Sequence, residues 1–342
     1  MLIKVKTLII IIALAAFMFT AFSSVYSSEE DNNLTLVYIS DLNLLPTPSV
    51  SQREKHELEK TLGLLVYESQ AIFQDIVKYI NQNIASDLVV FGGNNVIASN
   101  KAGFFMDTSD ELVWNLFLDM ASEIKANFLI NLGQNEILSK SKNGIVQIMK
   151  SFAQDITNTY WSYKIKDHLL IGLDTNLFFV DEKQGKLELE WLEELLLKNK
   201  LLKTVIFTHK SLLTSEGVII DKKPIKELFS ILDKNPQVVL LASGGEYLNR
   251  VTIIKHLVYV QNSSPIAFPC TFRTIQLTPD MLKIKTVKIP LKGIIKKAEE
   301  SLIESGRAKE LSQASIKNIK KYVKGIKSDA DFRIFFRDLS NR

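Results

Sequence analysis

An α/β body with two sheets, or one mixed sheet, flanked by helices and followed by a basic helical tail is the fold class this sequence predicts. Three observations predict it. Short apolar runs alternate with long amphipathic stretches through the first half, strand-like runs follow one another directly near residue 280, and the last fifty residues place apolar positions at helical spacing between lysines. The composition agrees: 342 residues, 46% hydrophobic and 23% charged with 14 Gly and 8 Pro, is an ordinary globular balance that excludes disordered, collagenous and low-complexity classes.

Taken in order, residues 1–27 read as a secretory signal. Lys4 and Lys6 precede an apolar run from Leu8 to Phe22, shorter than the ~20 residues a bilayer-spanning helix needs, and small residues around Val25 and Ser27 mark a cleavage position. The protein is therefore expected to be exported, to a periplasm or beyond the cell. Strands are predicted at Thr35–Ile39, Leu88–Phe91, Phe128–Asn131, Leu169–Leu173, Thr204–Phe207, Val238–Ala242, Leu257–Val260, Phe272–Leu277 and Met281–Ile289, each bounded by polar or glycine residues. Helices are predicted at Ser51–Asn83, Thr108–Ala126, Leu187–Lys200 and Ile225–Asn235, with Pro224 at a helix start. The body is assigned to residues 34–290.

Residues 291–342 form the basic tail. Residues 28–282 hold 24 Lys and Arg against 31 Asp and Glu, whereas residues 283–342 hold 16 against 7. Ile294, Ile295, Ala298 and Leu302, then Ile316, Ile319, Tyr322, Val323 and Ile326, sit at helical spacing, so the tail is expected to pack an apolar stripe on the body and leave a solvated basic face. Membrane or partner contact through 291–342 is the alternative reading. The acidic body and the scarcity of aromatics among the basic residues give a nucleic-acid interface little support, and none is expected.

Four histidines and one cysteine limit the chemistry. Cys270 alone excludes an internal disulfide and any multi-thiolate zinc site, so a metal would need carboxylates, amides or imidazoles. In open α/β folds ligands sit in loops just after strand ends. Those loops read Ser40-Asp41-Leu42-Asn43, Gly92-Gly93-Asn94-Asn95, Gly133-Gln134-Asn135-Glu136, Leu173-Asp174-Thr175, Thr208-His209-Lys210 and Ser243-Gly244-Gly245-Glu246-Tyr247. His56 lies in a charged run, and His168 and His256 flank strand starts, which is where solvated or half-buried rings are usual. Ser211 and His209 could be read as nucleophile and base, but no orienting acid accompanies them.

In order and spacing, these loops resemble those of the calcineurin-like metallophosphoesterases from about Leu34 to Ile289. The resemblance implies an αββα sandwich of two mixed sheets and, in an intact member, two divalent ions sharing a bridging aspartate, a metal-bound hydroxide as nucleophile and a histidine assisting the leaving group. Two dications ~3.5 Å apart repel by roughly 20 kcal/mol at an effective dielectric near 20, so the anionic bridge is what makes the pair tolerable.

Residue by residue the carry-over fails where it counts. Asp41 matches the first aspartate, but the histidine two residues on is Asn43. The bridging aspartate is Asn94, the ligand asparagine is Gln134, and the catalytic histidine is Asn135, followed by a matching Glu136. His209 matches the lone histidine, while the last two histidines are replaced by Gly245 and Tyr247. The sequence therefore predicts a phosphoesterase-like pseudoenzyme without a binuclear centre, binding a polar ligand or a protein through Asp41, Asn43, Asn94, Gln134 and Asn135. No cofactor is expected, or at most one divalent cation (Mn, Mg or Ca) on Asp41 and His209, with Glu136 or Glu246 as neighbour. A hydrolase with such a rebuilt site and an exported scaffold using its basic tail are the alternatives.

Overall fold

The computed structural model describes residues 32–340 except 47–51, 98–109, 151–155, 157, 215 and 306–315. The proposed signal at 1–27 lies outside the described residues. The first half runs β1 (Leu34–Ile39), α1 (Gln52–Leu62), α2 (Ser69–Asn83), β2 (Leu88–Gly92), α3 (Asp110–Ser122), β3 (Asn127–Asn131), α4 (Gln134–Ser139) and α5 (Lys142–Lys150). A central block follows with β4 (Trp161–Ile165), β5 (His168–Gly172), α6 (Leu177–Val180), α7 (Glu182–Lys198), β6 (Lys203–Phe207), α8 (Lys223–Asp233) and β7 (Val238–Ser243). The chain closes with β8 (Arg250–Ile254), β9 (Leu257–Gln261), β10 (Thr271–Leu277), β11 (Met281–Lys288), α9 (Ile294–Glu304), α10 (Ile316–Lys324), α11 (Lys327–Ala330), β12 (Asp331–Phe335) and α12 (Phe336–Ser340).

Two six-stranded mixed sheets result, in the orders β12-β11-β10-β1-β2-β3 and β4-β5-β6-β7-β9-β8. In the first, β1, β2 and β3 run parallel, with Val37 opposite Val89 and Val89 opposite Phe128, and β10 turns antiparallel to β1. In the second, β5, β6, β7 and β9 run parallel between antiparallel edges. The parallel strands read as unbroken apolar runs because both faces are covered. Leu169 and Ile171 face the outer cluster with Leu192 of α7 and Leu228 of α8, whereas Leu170 between them joins the cluster that fills the space between the sheets.

The two sheets are stapled at the strand ends that carry the site. Asn131, buried at the end of β3, donates from Nδ2 to the carbonyls of Phe207 (3.0 Å) and Leu173 (3.3 Å). Tyr38 donates its hydroxyl to Thr208 O at 3.2 Å, and the Trp161 indole donates to Ile130 O at 2.9 Å. Paired in this way, buried polar groups fix the relative position of the sheets.

Four parts of the chain differ from the sequence expectation. The single helix predicted over Ser51–Asn83 is two helices, because Gly63 adopts φ 65° and a short 3₁₀ turn at Val66–Glu68 intervenes. Strands β4 and β8 were not predicted: they are edge strands with half-exposed residues and lack the apolar run that marks the central strands. The tail is not purely helical. It packs Ala298, Leu302, Ile319 and Val323 into the main core as the stripe predicts, and then adds β12 antiparallel to β11, with Phe332 opposite Ile284. Pro224 sits in the first turn of α8 as expected.

Candidate functional site

The loops singled out in the sequence converge at the C-terminal ends of β1, β2, β3, β6 and β7. Backbone geometry there is unusual: Asp41, Asn43 and Asn94 adopt φ of 60°, 45° and 49°, and Tyr247 adopts 52°. Asp and Asn tolerate this left-handed region better than other residues with a side chain, which explains in part why short amides and one carboxylate occupy these turns. Gly93, at φ 89°, is required: a Cβ there would lie 2.6 Å from Gly133 N and 2.8 Å from the His209 ring. Close backbone bonds zip the first two loops together, Asp41 N to Gly93 O at 2.9 Å and Asn43 N to Asn94 O at 2.7 Å.

At the centre, the fully buried Asp41 accepts on Oδ2 from Gly245 N (2.8 Å) and on Oδ1 from Asn94 Nδ2 (3.3 Å). His209, also buried, meets Gly92 O through Nδ1 at 3.0 Å, which makes Nδ1 the protonated nitrogen because a carbonyl can only accept. Its Nε2 then faces Asp41 Oδ1 at 3.8 Å. Asn94 is oriented by the backbone: its Oδ1 accepts from Asn135 N at 3.0 Å, so its NH₂ group is the end turned toward Asp41. Asn43 completes the ring, donating to Asp41 O at 3.1 Å and accepting from Asn135 Nδ2 at 2.8 Å.

Glu136 faces backbone donors instead of standing as a neighbouring ligand to Asp41 and His209. It is fully buried, and its carboxylate accepts four backbone N–H groups, those of Gly133 (2.7 Å), Asn94 (2.9 Å), Asn95 (2.6 Å) and Val96 (3.3 Å). Burial pushes its carboxyl above the ordinary value, opposed by His209 and these donors. It braces the loop after β2 rather than offering oxygen to a ligand. Gln134 is exposed at the start of α4 and stands apart from the ring, and the Tyr247 carbonyl accepts from Ser263 Oγ. Ser211 directs its hydroxyl at Leu213 O, so no Ser211–His209 pair forms.

Two contributors carry no sequence signal. Ser264 donates to Asp41 O at 2.7 Å and Asn262 to Ser40 Oγ at 3.0 Å, both from the loop after β9. An Asn-Ser-Ser stretch belongs to no motif, and only its position after a predicted strand end could have drawn attention to it.

The fit to a binuclear metal centre fails on these contacts. A bridging ligand must present lone pairs to both ions, yet the group at that position turns N–H donors inward and its one acceptor is occupied by Asn135 N. Among the described residues no group of three or more His, Cys, Asp and Glu side chains is placed to hold an ion.

Two layers of mixed sheet covered by helices, with loops meeting at one end of both sheets, define an αββα sandwich. This is the calcineurin-like metallophosphoesterase fold. A dimetal phosphatase from Danio rerio is similar to the chain at 13% identity and a TM-score of 0.57, over 75% of this chain and 97% of that one. The purple acid phosphatase PPD1 of yellow lupin (Lupinus luteus) is similar at 11% identity and a TM-score of 0.52, over 77% of this chain and 52% of that one. At such identities the likeness is one of fold. No family model matches the chain, and no curated protein matches it in sequence.

Proposed function

We propose that this protein is a phosphoesterase-fold pseudoenzyme that works outside the cytoplasm by binding a polar ligand or a protein at the amide-lined end of its sheets. The observation that carries the reading is the orientation of Asn94. With its NH₂ directed at Asp41 and its carbonyl held by Asn135 N, the position that should draw two cations together offers them positive partial charge. Asp41 keeps one anion in a ring of amides, a combination that suits hydrogen-bonding recognition better than phosphoryl transfer. Export rests on Lys4, Lys6 and the apolar run to Phe22.

Hydrolysis of bis(p-nitrophenyl) phosphate by the purified mature chain in manganese tests the catalytic part. The expected rate equals the blank. A rate abolished in both Asp41→Ala and His209→Ala would establish the hydrolase instead. Fractionation of the expressing cell tests export: retention of the unprocessed chain in the cytoplasm contradicts it.

One observation favours a second reading, a single divalent cation. His209 donates Nδ1–H to a backbone carbonyl and turns Nε2 toward Asp41 Oδ1 at 3.8 Å, which is how metal-binding imidazoles are oriented by a second partner. The pair supplies two donors, and any others would have to come from water. Calorimetric titration with manganese, magnesium and calcium separates the readings, since heat that vanishes in His209→Ala supports the cation.

A further inference from the structure

The C-terminal stretch builds a pocket that lies apart from the amide-lined site. Helix α10 buries Ile319 and Val323 in the main core, so its apolar face is already covered, and Lys321 and Lys324 are exposed. Lys321 and Lys324, one helical turn apart, and Lys327, just past the reversal at Gly325, are exposed along one side of a pocket of about 530 Å³. Lys320 and Glu299 of α9 lie on its wall, and Phe268 with Ile326 gives it an apolar side. Ile326 remains 58% exposed there. A volume of this order is within the range of small-molecule sites.

The wall is fixed in advance. Gly325 has φ 74°, and a Cβ on it would lie 2.1 Å from Asn249 O, so only glycine lets the chain reverse this close to the sheet. Asn249 N donates to Val323 O at 3.0 Å, and the Asp329 carboxylate accepts from Val251 N and Ile326 N, both at 2.8 Å. The fully buried Arg273 donates to Asp329 O at 2.6 Å. These contacts leave the lysines on a rigid support, which lowers the ordering cost of binding.

Among the described residues the charge there is uncompensated. Glu299 is engaged by Lys320, and Asp329 is turned inward onto backbone donors, while Lys321, Lys324 and Lys327 have no carboxylate within ion-pair distance among the described residues. Elsewhere lysines have acidic neighbours one turn away, as Lys186 has Glu190 at 3.7 Å and Lys198 has Glu194 at 3.3 Å. Three like charges held on one rim repel each other, and a multivalent anion relieves that repulsion. Lysine acts on phosphate as a point charge without directional demands, and the apolar side accommodates a carbon skeleton.

We infer that this pocket binds a soluble organic phosphate carrying two or more phosphate groups. Calorimetric titration of the full mature chain with inositol hexakisphosphate, and separately with tripolyphosphate, tests it. The expected result is micromolar binding of inositol hexakisphosphate, weakened at least tenfold in Lys321→Glu/Lys324→Glu and less than twofold in the control Lys186→Glu/Lys198→Glu. Circular dichroism and the urea midpoint establish that both variants are folded, and the milder Lys321→Gln/Lys324→Gln stands in if the charge reversal does not fold. Absence of heat at millimolar probe overturns the proposal. So does an equal loss in both double variants, which would mean diffuse attraction to a basic surface. Binding to phosphatidylserine vesicles with none to either soluble probe overturns it in favour of a membrane contact.

Discussion

Replacing Asn94 by aspartate restores the charge that an intact bridging position carries, and the structure sets what this should cost. Asn94 Nδ2 donates to Asp41 Oδ1 across 3.3 Å inside a buried ring. The substitution converts that donor into a second carboxylate oxygen and keeps the acceptor for Asn135 N. Two unit charges at this separation repel by about 5 kcal/mol at an effective dielectric near 20, and relaxation brings the expected net loss to roughly 2–4 kcal/mol at neutral pH. The repulsion raises the folded-state pKa of one carboxyl above its unfolded value. The variant is therefore penalised fully above that raised value, and the penalty fades as pH falls through it toward the unfolded value near ~4. Manganese should offset the penalty by placing a cation between the two carboxylates. The assay is the urea midpoint of wild type and variant at mildly acidic and mildly alkaline pH, with and without manganese. Equal stability of the two proteins at alkaline pH, or a loss that does not depend on pH, would refute the placement of Asn94 against Asp41.

Further outcomes follow from the same contacts. Glu136→Gln replaces an acceptor of four backbone N–H groups by a side chain that presents a donor to some of them, and should lower stability by about 2–4 kcal/mol in urea denaturation. Gly93→Ala must accommodate a Cβ 2.6 Å from Gly133 N at a positive φ and should lower the yield of folded protein or cost more than ~3 kcal/mol by the same measurement. Glu188 is buried, donates nothing, and accepts from Asp174 N at 2.7 Å; burial, then Asp174, hold its carboxyl well above the ordinary value. A raised folded-state pKa means that the folded state binds the proton more tightly. Stability should then fall as pH rises from the unfolded value of about 4.3 through the raised one, and Glu188→Gln should flatten that dependence in urea midpoints.

How much of this was legible in the sequence depended on burial. Strands such as β1, β2 and β6 are buried along nearly their whole length, so their apolar runs announced them, and the loops after them led to Asp41, Asn94 and His209. Edge strands left a weaker trace: β4 is Trp-Ser-Tyr-Lys-Ile with every second residue facing outward, and β12 lies among the charges of the tail, visible only once β11 is there to pair with it. Within the site, residue types fixed what was missing but not what replaced it. Glu136 occupies the acidic position of its motif, yet tertiary packing turns it onto backbone donors. Ser264 and Asn262 reach the ring from a loop more than two hundred residues from Asp41, a proximity that no local pattern encodes.

The measurement that most directly tests whether the ring has closed in place of the metals is the stoichiometry of bound ion after equilibrium dialysis of the purified protein against manganese or zinc. No more than one ion per chain is expected, and that one should be lost in His209→Ala. Two ions per chain, held with a short metal–metal distance in the X-ray absorption spectrum, would contradict the account.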